Sequence, residues 1–125
     1  MTDTMGNWPE TIPGAAQEAA QKWPSQIALI EGDRRWTFAE LWRDARAAAS
    51  AFLESGLKPG DRVAIWGPNC REWILASLGT QICGAAIVPL NTRFKAIEAV
   101  DLITRSHSKF VFASTKFRGV DHRAL

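Results

Sequence analysis

Residues Gly60 to Arg93, G-D-R-V-A-I-W-G-P-N-C-R-E-W-I-L-A-S-L-G-T-Q-I-C-G-A-A-I-V-P-L-N-T-R, read as strand, tight turn, apolar helix, glycine break and second strand. Arg62 to Trp66 is the first strand. Cys70 to Cys83 is a helix with Asn69 as N-cap and Glu72 reaching back to it. Trp73, Ile74, Leu75, Ala76, Leu78 and Ile82 spread over more than one face, which predicts a mostly buried helix. Gly84 ends it. Ala85 to Leu90 is a continuous apolar strand, as expected when both faces are covered. A strand–helix–strand unit of this length makes a parallel pair with a helix over it.

The pattern continues on both sides. Downstream, a helix over about Ala96 to Arg105 presents Ile97, Val100 and Ile103, and Lys109 to Ala113 is a third apolar strand. Upstream, Thr37-Phe38-Ala39-Glu40 is a capping box. It opens a helix to Ser55 whose Leu41, Ala45, Ala48, Ala49, Phe52 and Leu53 share one face. Gly56 takes the C′ position, and Lys58-Pro59-Gly60-Asp61 turns into the first strand. Ile27–Glu31 and Arg35–Thr37 flank Gly32-Asp33 and predict a hairpin. Thr11 caps an alanine-rich helix over Ile12 to Lys22, with Pro13 in its first turn. Trp23-Pro24 stops it. The fold class is α/β: a parallel βαβαβ sheet with covering helices, preceded by a helix and a short β-hairpin. No repeat, low-complexity stretch or internal linker interrupts it. Residues 1–10 read as a flexible N-terminus and 11–125 as one domain.

Composition excludes several function classes. The 125 residues are 46% hydrophobic and 22% charged, ordinary for a globular chain. Fifteen Lys and Arg against thirteen Asp and Glu give +2, with no dense basic block, so no nucleic-acid partner is expected. Residues 1–9 are polar and carry no signal-peptide pattern. The apolar run Ala85–Leu90 is too short to span a bilayer. Cys70 and Cys83 on one helix would stand about 20 Å apart, against the roughly 4.4–6.8 Å a disulfide needs. A reducing, cytoplasmic setting follows.

Motifs that carry chemistry are scarce. No G-x-x-x-x-G-K-[ST] or G-x-G-x-x-G occurs. Gly67-Pro68-Asn69 could aim helix N–H groups at an anion, but one glycine followed by proline leaves few free amides, and an ordinary capped turn is the simpler reading. His107 and His122 lie near Ser106, Ser108 and Ser114, yet no G-x-S-x-G elbow is present. Two cysteines on one helix and two histidines fit no zinc spacing. Asn91, Thr92 and Arg93 follow the carboxyl end of a strand, where open α/β sheets place ligand crevices. A substrate-facing role stands beside a plain loop with Arg93 paired to a carboxylate.

The wording itself is specific. T-I-P at Thr11, A-L-I-E-G-D-R-R-W-T-F-A-E-L-W at Ala28–Trp42, G-L-K-P-G-D-R-V-A-I-W-G-P-N at Gly56–Asn69 and P-L-N-T-R at Pro89–Arg93 follow one another in order. Together they resemble the N-terminal region of the adenylate-forming acyl-CoA synthetase (AMP-binding) family. The resemblance implies a ligase that converts a fatty or related carboxylic acid to an acyl-adenylate with ATP and Mg²⁺, then transfers the acyl group to coenzyme A. It also implies a phosphate loop like T-[ST]-G-[ST]-T-G-x-P-K-G, an adenine- and ribose-binding aspartate and a lysine on a mobile lid. None of these is in the chain; Ser114-Thr115-Lys116-Phe117 lacks the glycines. The sequence is therefore expected to be a partial domain, truncated before the phosphate loop. It is expected to be inactive alone and to self-associate through exposed apolar surface. No catalytic, cofactor-binding or metal residue is assigned. Lys95 stands where family members often carry a Ser or Thr N-cap.

Two rival classes compete with this reading. A receiver-like signalling domain needs an aspartate at a strand end, and none is there. A non-catalytic interaction domain would bind through its sheet edge.

Overall fold

The computed structural model describes residues 9–114. Helix α1 (Ile12–Lys22) leads into strands β1 (Ile27–Glu31) and β2 (Arg34–Thr37), then α2 (Phe38–Glu54). The order continues β3 (Arg62–Trp66), α3 (Arg71–Ile82), β4 (Ala86–Leu90), α4 (Ala96–Arg105) and β5 (Ser108–Ala113). β1 and β2 form a separate antiparallel hairpin. The other strands form one sheet in the order β4-β3-β5, with both pairings parallel.

The local signals explain the starts and stops. Thr11 Oγ1 accepts from Gly14 N at 3.0 Å and starts α1. The capping box of α2 is complete: Thr37 Oγ1 accepts from Glu40 N, and Glu40 Oε1 accepts from Thr37 N. That backbone bond, and the Thr37 hydroxyl after it, hold the Glu40 carboxyl below its ordinary pKa. Gly56, at φ +97°, ends α2 with paired bonds from Gly56 N to Leu53 O and from Leu57 N to Phe52 O.

Two apolar clusters lie on opposite faces of the sheet. Val63 and Ile65 of β3 pack with Ala49 of α2 and Ala76 of α3, joined by Phe52, Trp73, Ile87 and Phe110. Ala64 and Trp66 pack with Leu90 and with Ala99 of α4, joined by Val88, Leu102 and Ile103. β3 is therefore covered on both faces, and Val63, Ala64 and Ile65 are fully buried. The helix α3 runs Ala76 to Thr80 without an exposed residue.

Three expectations are corrected. α4 turns Ile97 and Val100 to solvent, at 79% and 59% exposure, and buries Ala99 instead. Leu53 lies outside the packed face of α2. β4 leaves Ala86 and Pro89 exposed and Ile87 and Val88 half-buried, so its apolar sequence is not matched by cover on both faces.

Candidate functional site

The helix after β3 packs on one face of the sheet and the helix after β4 on the other. The turns leaving these adjacent strands therefore diverge, and a crevice opens between them at their carboxyl ends. It measures about 560 Å³ and is lined by Gly67, Pro68, Asn69 and Trp73 on one side and Pro89, Leu90, Asn91 and Thr92 on the other. The structure thus brings together both turns that the sequence singled out.

The second turn is pinned from inside. Trp66 Nε1 donates to Asn91 O at 2.9 Å. Asn91 Oδ1 accepts from Arg93 N at 2.9 Å, and Asn91 O accepts from Phe94 N at 3.0 Å. The Asn91 side chain thereby shapes its own loop. Thr92 lines the crevice, whereas Arg93 is exposed and makes no ion pair among the described residues. A smaller crevice of about 340 Å³ lies between the ends of β3 and β5, where Ser114 N donates to Trp66 O at 3.0 Å.

The start of α3 differs from the capping box read in the sequence. Its N-cap is Cys70, whose side chain makes no capping bond. Glu31, at the tip of the hairpin, supplies the missing acceptor: Arg71 N donates to Glu31 Oε1 at 2.8 Å. A carboxylate at this end also suits the helix dipole. Sequence reasoning missed Glu31 because forty residues separate it from the helix it caps. One of the amides that a helix start leaves free is therefore already held by a side-chain carboxyl oxygen.

Arg71 organises the same corner. Its guanidinium pairs with Asp44 of α2 and lies 5.0 Å over the Trp36 ring, which Arg34 covers at 4.8 Å. Burial works to raise the Asp44 carboxyl, but hydrogen bonds from Arg43 and Arg71 outweigh it and hold it below its ordinary value. The hairpin, α2 and α3 are thus locked through one cation.

Burial pushes the Cys70 and Cys83 thiols up, away from the reactive thiolate. Both cysteines are free and flank α3, and Cys83 donates to Ala49 O at 3.4 Å. Glu31, Cys70 and Glu72 hold potential ligand atoms within 4.8 Å of one another, and Glu31 Oε1 also accepts from Arg71 N. His107 sits in the left-handed turn before β5, at φ +54°, while Ser114 follows the strand's far end. Ser106 and Ser108 bond each other at 2.7 Å. His122 and Thr115 to Phe117 lie outside the described residues. Among the described residues no helix is long and apolar enough to cross a membrane.

This framework has known counterparts. The family model for AMP-binding enzymes matches residues 16–124. The chain belongs to the AMP-binding enzyme family. A relative from Mycobacterium tuberculosis, 3-[(3aS,4S,7aS)-7a-methyl-1,5-dioxo-octahydro-1H-inden-4-yl]propanoyl:CoA ligase, is 43% identical over 114 residues, which is 91% of this chain and 22% of that enzyme. The N-terminal domain of FACL13 from the same organism superposes with a TM-score of 0.81 at 32% identity, covering 84% of this chain and 27% of that one. O-succinylbenzoate coenzyme A synthetase from Bacillus subtilis, solved with AMP, gives 0.78 at 30% identity over 82% of this chain and 27% of its own. The chain therefore spans under a quarter of the length of the curated relative and corresponds to the N-terminal portion of an adenylate-forming ligase.

Proposed function

We propose that the chain supplies the opening portion of an ATP-dependent carboxylic acid–CoA ligase and contributes part of one wall to its substrate cleft. The observation that carries this reading is the family match over residues 16–124 combined with the small share of the relatives' length that the chain covers. On this reading residues 11–125 form a partial domain and hold no catalytic, cofactor or metal residue. ATP, Mg²⁺, coenzyme A and a fatty or related acid are ligands of the whole ligase. Two free cysteines suit a cytoplasmic setting.

The described residues do not fit a triphosphate. The Gly67-Pro68-Asn69 turn has lost one amide to proline, and a carboxylate holds the first N–H of α3. Transition-state charge on transferred phosphoryl or acyl groups needs preorganised donors or a metal. The crevice of about 560 Å³ at the sheet's carboxyl end supplies shape and an apolar Trp73 wall instead.

ATP–pyrophosphate exchange and thioester formation test the reading. The isolated chain is expected to support neither with any carboxylic acid. A fusion that replaces the matched segment of the Mycobacterium tuberculosis relative with this chain is expected to form thioester. Exchange by the isolated chain, or a folded but inactive fusion, would overturn the proposal.

A further inference from the structure

The crevice between the turns after β3 and β4, at about 560 Å³, lies within the range of about 300–1,000 Å³ that small-molecule sites occupy. It opens where the helices after these two strands part to opposite faces of the sheet, the place where open α/β sheets bind ligands. Its lining is mixed but uncharged. Pro68, Trp73 and Leu90 give apolar surface, and Asn69, Asn91 and Thr92 give amide and hydroxyl groups. Asn91 Oδ1 is committed to Arg93 N. Asn91 Nδ2, the Asn69 side-chain amide and the Thr92 hydroxyl make no hydrogen bond among the described residues, so they are open to a ligand. The rim that carries Asn91 and Thr92 is fixed in advance, because the buried Trp66 donates Nε1 to Asn91 O at 2.9 Å.

Such a lining discriminates by charge. A carboxylate or phosphate moved into it would give up water and meet no lysine or arginine among the lining residues. Arg93, next in sequence to the rim, is not one of them. An apolar ring or chain instead fits against Trp73 and Leu90, and carbonyl or hydroxyl oxygens match the uncommitted amide and hydroxyl donors. We propose that the crevice binds the uncharged body of the ligase's carboxylic acid, an apolar ring or chain bearing carbonyl or hydroxyl oxygens, with the carboxylate left outside. The inference rests on the ligase reading above and adds the part of the substrate that this chain holds.

The test follows the NMR signals of the full chain as α-tetralone, an uncharged bicyclic ketone, is added. The side-chain amide signals of Asn69 and Asn91 and the indole N–H of Trp73 are expected to shift saturably, with a Kd of about 1 mM for a ligand of this size. Thr92→Val keeps the shape of the side chain and removes the hydroxyl, and is expected to weaken binding about fivefold. Trp73→Leu is expected to weaken it about tenfold. Trp73 also packs on the core, so where that change moves the β3 signals, Thr92→Val decides. Inorganic phosphate is expected to move none of these signals. Absence of shifts at the crevice, saturation there by phosphate, or affinity indifferent to Thr92→Val overturns the proposal. Shifts confined to the apolar groove beside Phe52 and Phe110 overturn it as well. The fusion described above separates the two readings. α-Tetralone is expected to raise its apparent KM for the acid several-fold with kcat unchanged. An active fusion whose KM the ketone leaves unchanged keeps the ligase reading and rejects the crevice as the acid's site, whereas a folded, inactive fusion rejects the ligase reading itself.

Discussion

On one face of β3, α2 and α3 approach so closely that a Cβ built at Gly79 would stand 2.9 Å from Ala48 Cβ and 3.1 Å from Ala49 N. On the other face, α4 is the one helix among the described residues that provides cover, and it turns Ile97 and Val100 outward. The same contrast runs across the sheet. β3 is buried on both faces, whereas β4 and β5, also mostly apolar in sequence, are half-open. A strand's composition thus reports how much cover it is suited to, not how much its own stretch of chain provides. The finished side holds the fold together, and the open side is the part that a larger domain would complete.

The largest expected effect falls on the finished side. Gly79→Val must push the α2 backbone away, because the nearest atoms are Ala48 Cβ and main-chain atoms with no freedom to swing aside. A loss of about 3 kcal/mol in unfolding free energy is expected from such overpacking, checked by urea denaturation of the two proteins. A change under about 0.5 kcal/mol, within the range of ordinary surface substitutions, would show that the helices are not pressed together.

A smaller effect is expected at the corner held by Arg71. Asp44→Asn removes the charge that pairs with the guanidinium, at an expected cost of about 1–2 kcal/mol at neutral pH. The sign with pH follows from the lowered Asp44 carboxyl. Its stabilising share is complete above the unfolded value of about 3.9 and is lost as pH falls through the lower folded value. The stability gap between the two proteins should therefore close on acidification, and thermal melts across the acid range measure it. A gap constant with pH would assign the loss to something other than the carboxylate.

The smallest effect belongs to the open side. Lys95 at the N-cap of α4 makes no capping bond. Lys95→Ser is expected to stabilise the chain by about 1 kcal/mol, seen as a higher denaturant midpoint with an unchanged slope. No gain would mean that the start of α4 is satisfied in another way.

Much of the architecture was legible because its signals are local. T-x-x-E at Thr37, Gly-Asp at the hairpin and three apolar runs each act within a few residues. The crevice was legible in part, since strand ends mark where turns diverge. What escaped the sequence joins distant segments: Glu31 on Arg71, Arg71 on Asp44, and Arg71 over the Trp36 ring. The face of α4 was misread for a different reason. Ile97 and Val100 outweigh Ala99 in any apolar pattern, yet it is the small Ala99 that α4 buries against Trp66 and Leu90.

Native-state hydrogen exchange on the full chain tests the contrast between the sides most directly. Amides of β3 and of α3 from Ala76 to Thr80 are expected to exchange slowest, near the rate set by global unfolding. Those on the outer edge of β5 and in α4 are expected to exchange much faster. Equal, global protection across β4, β3, β5 and α4 would contradict the account, because it would mean that the sheet is already complete within this chain.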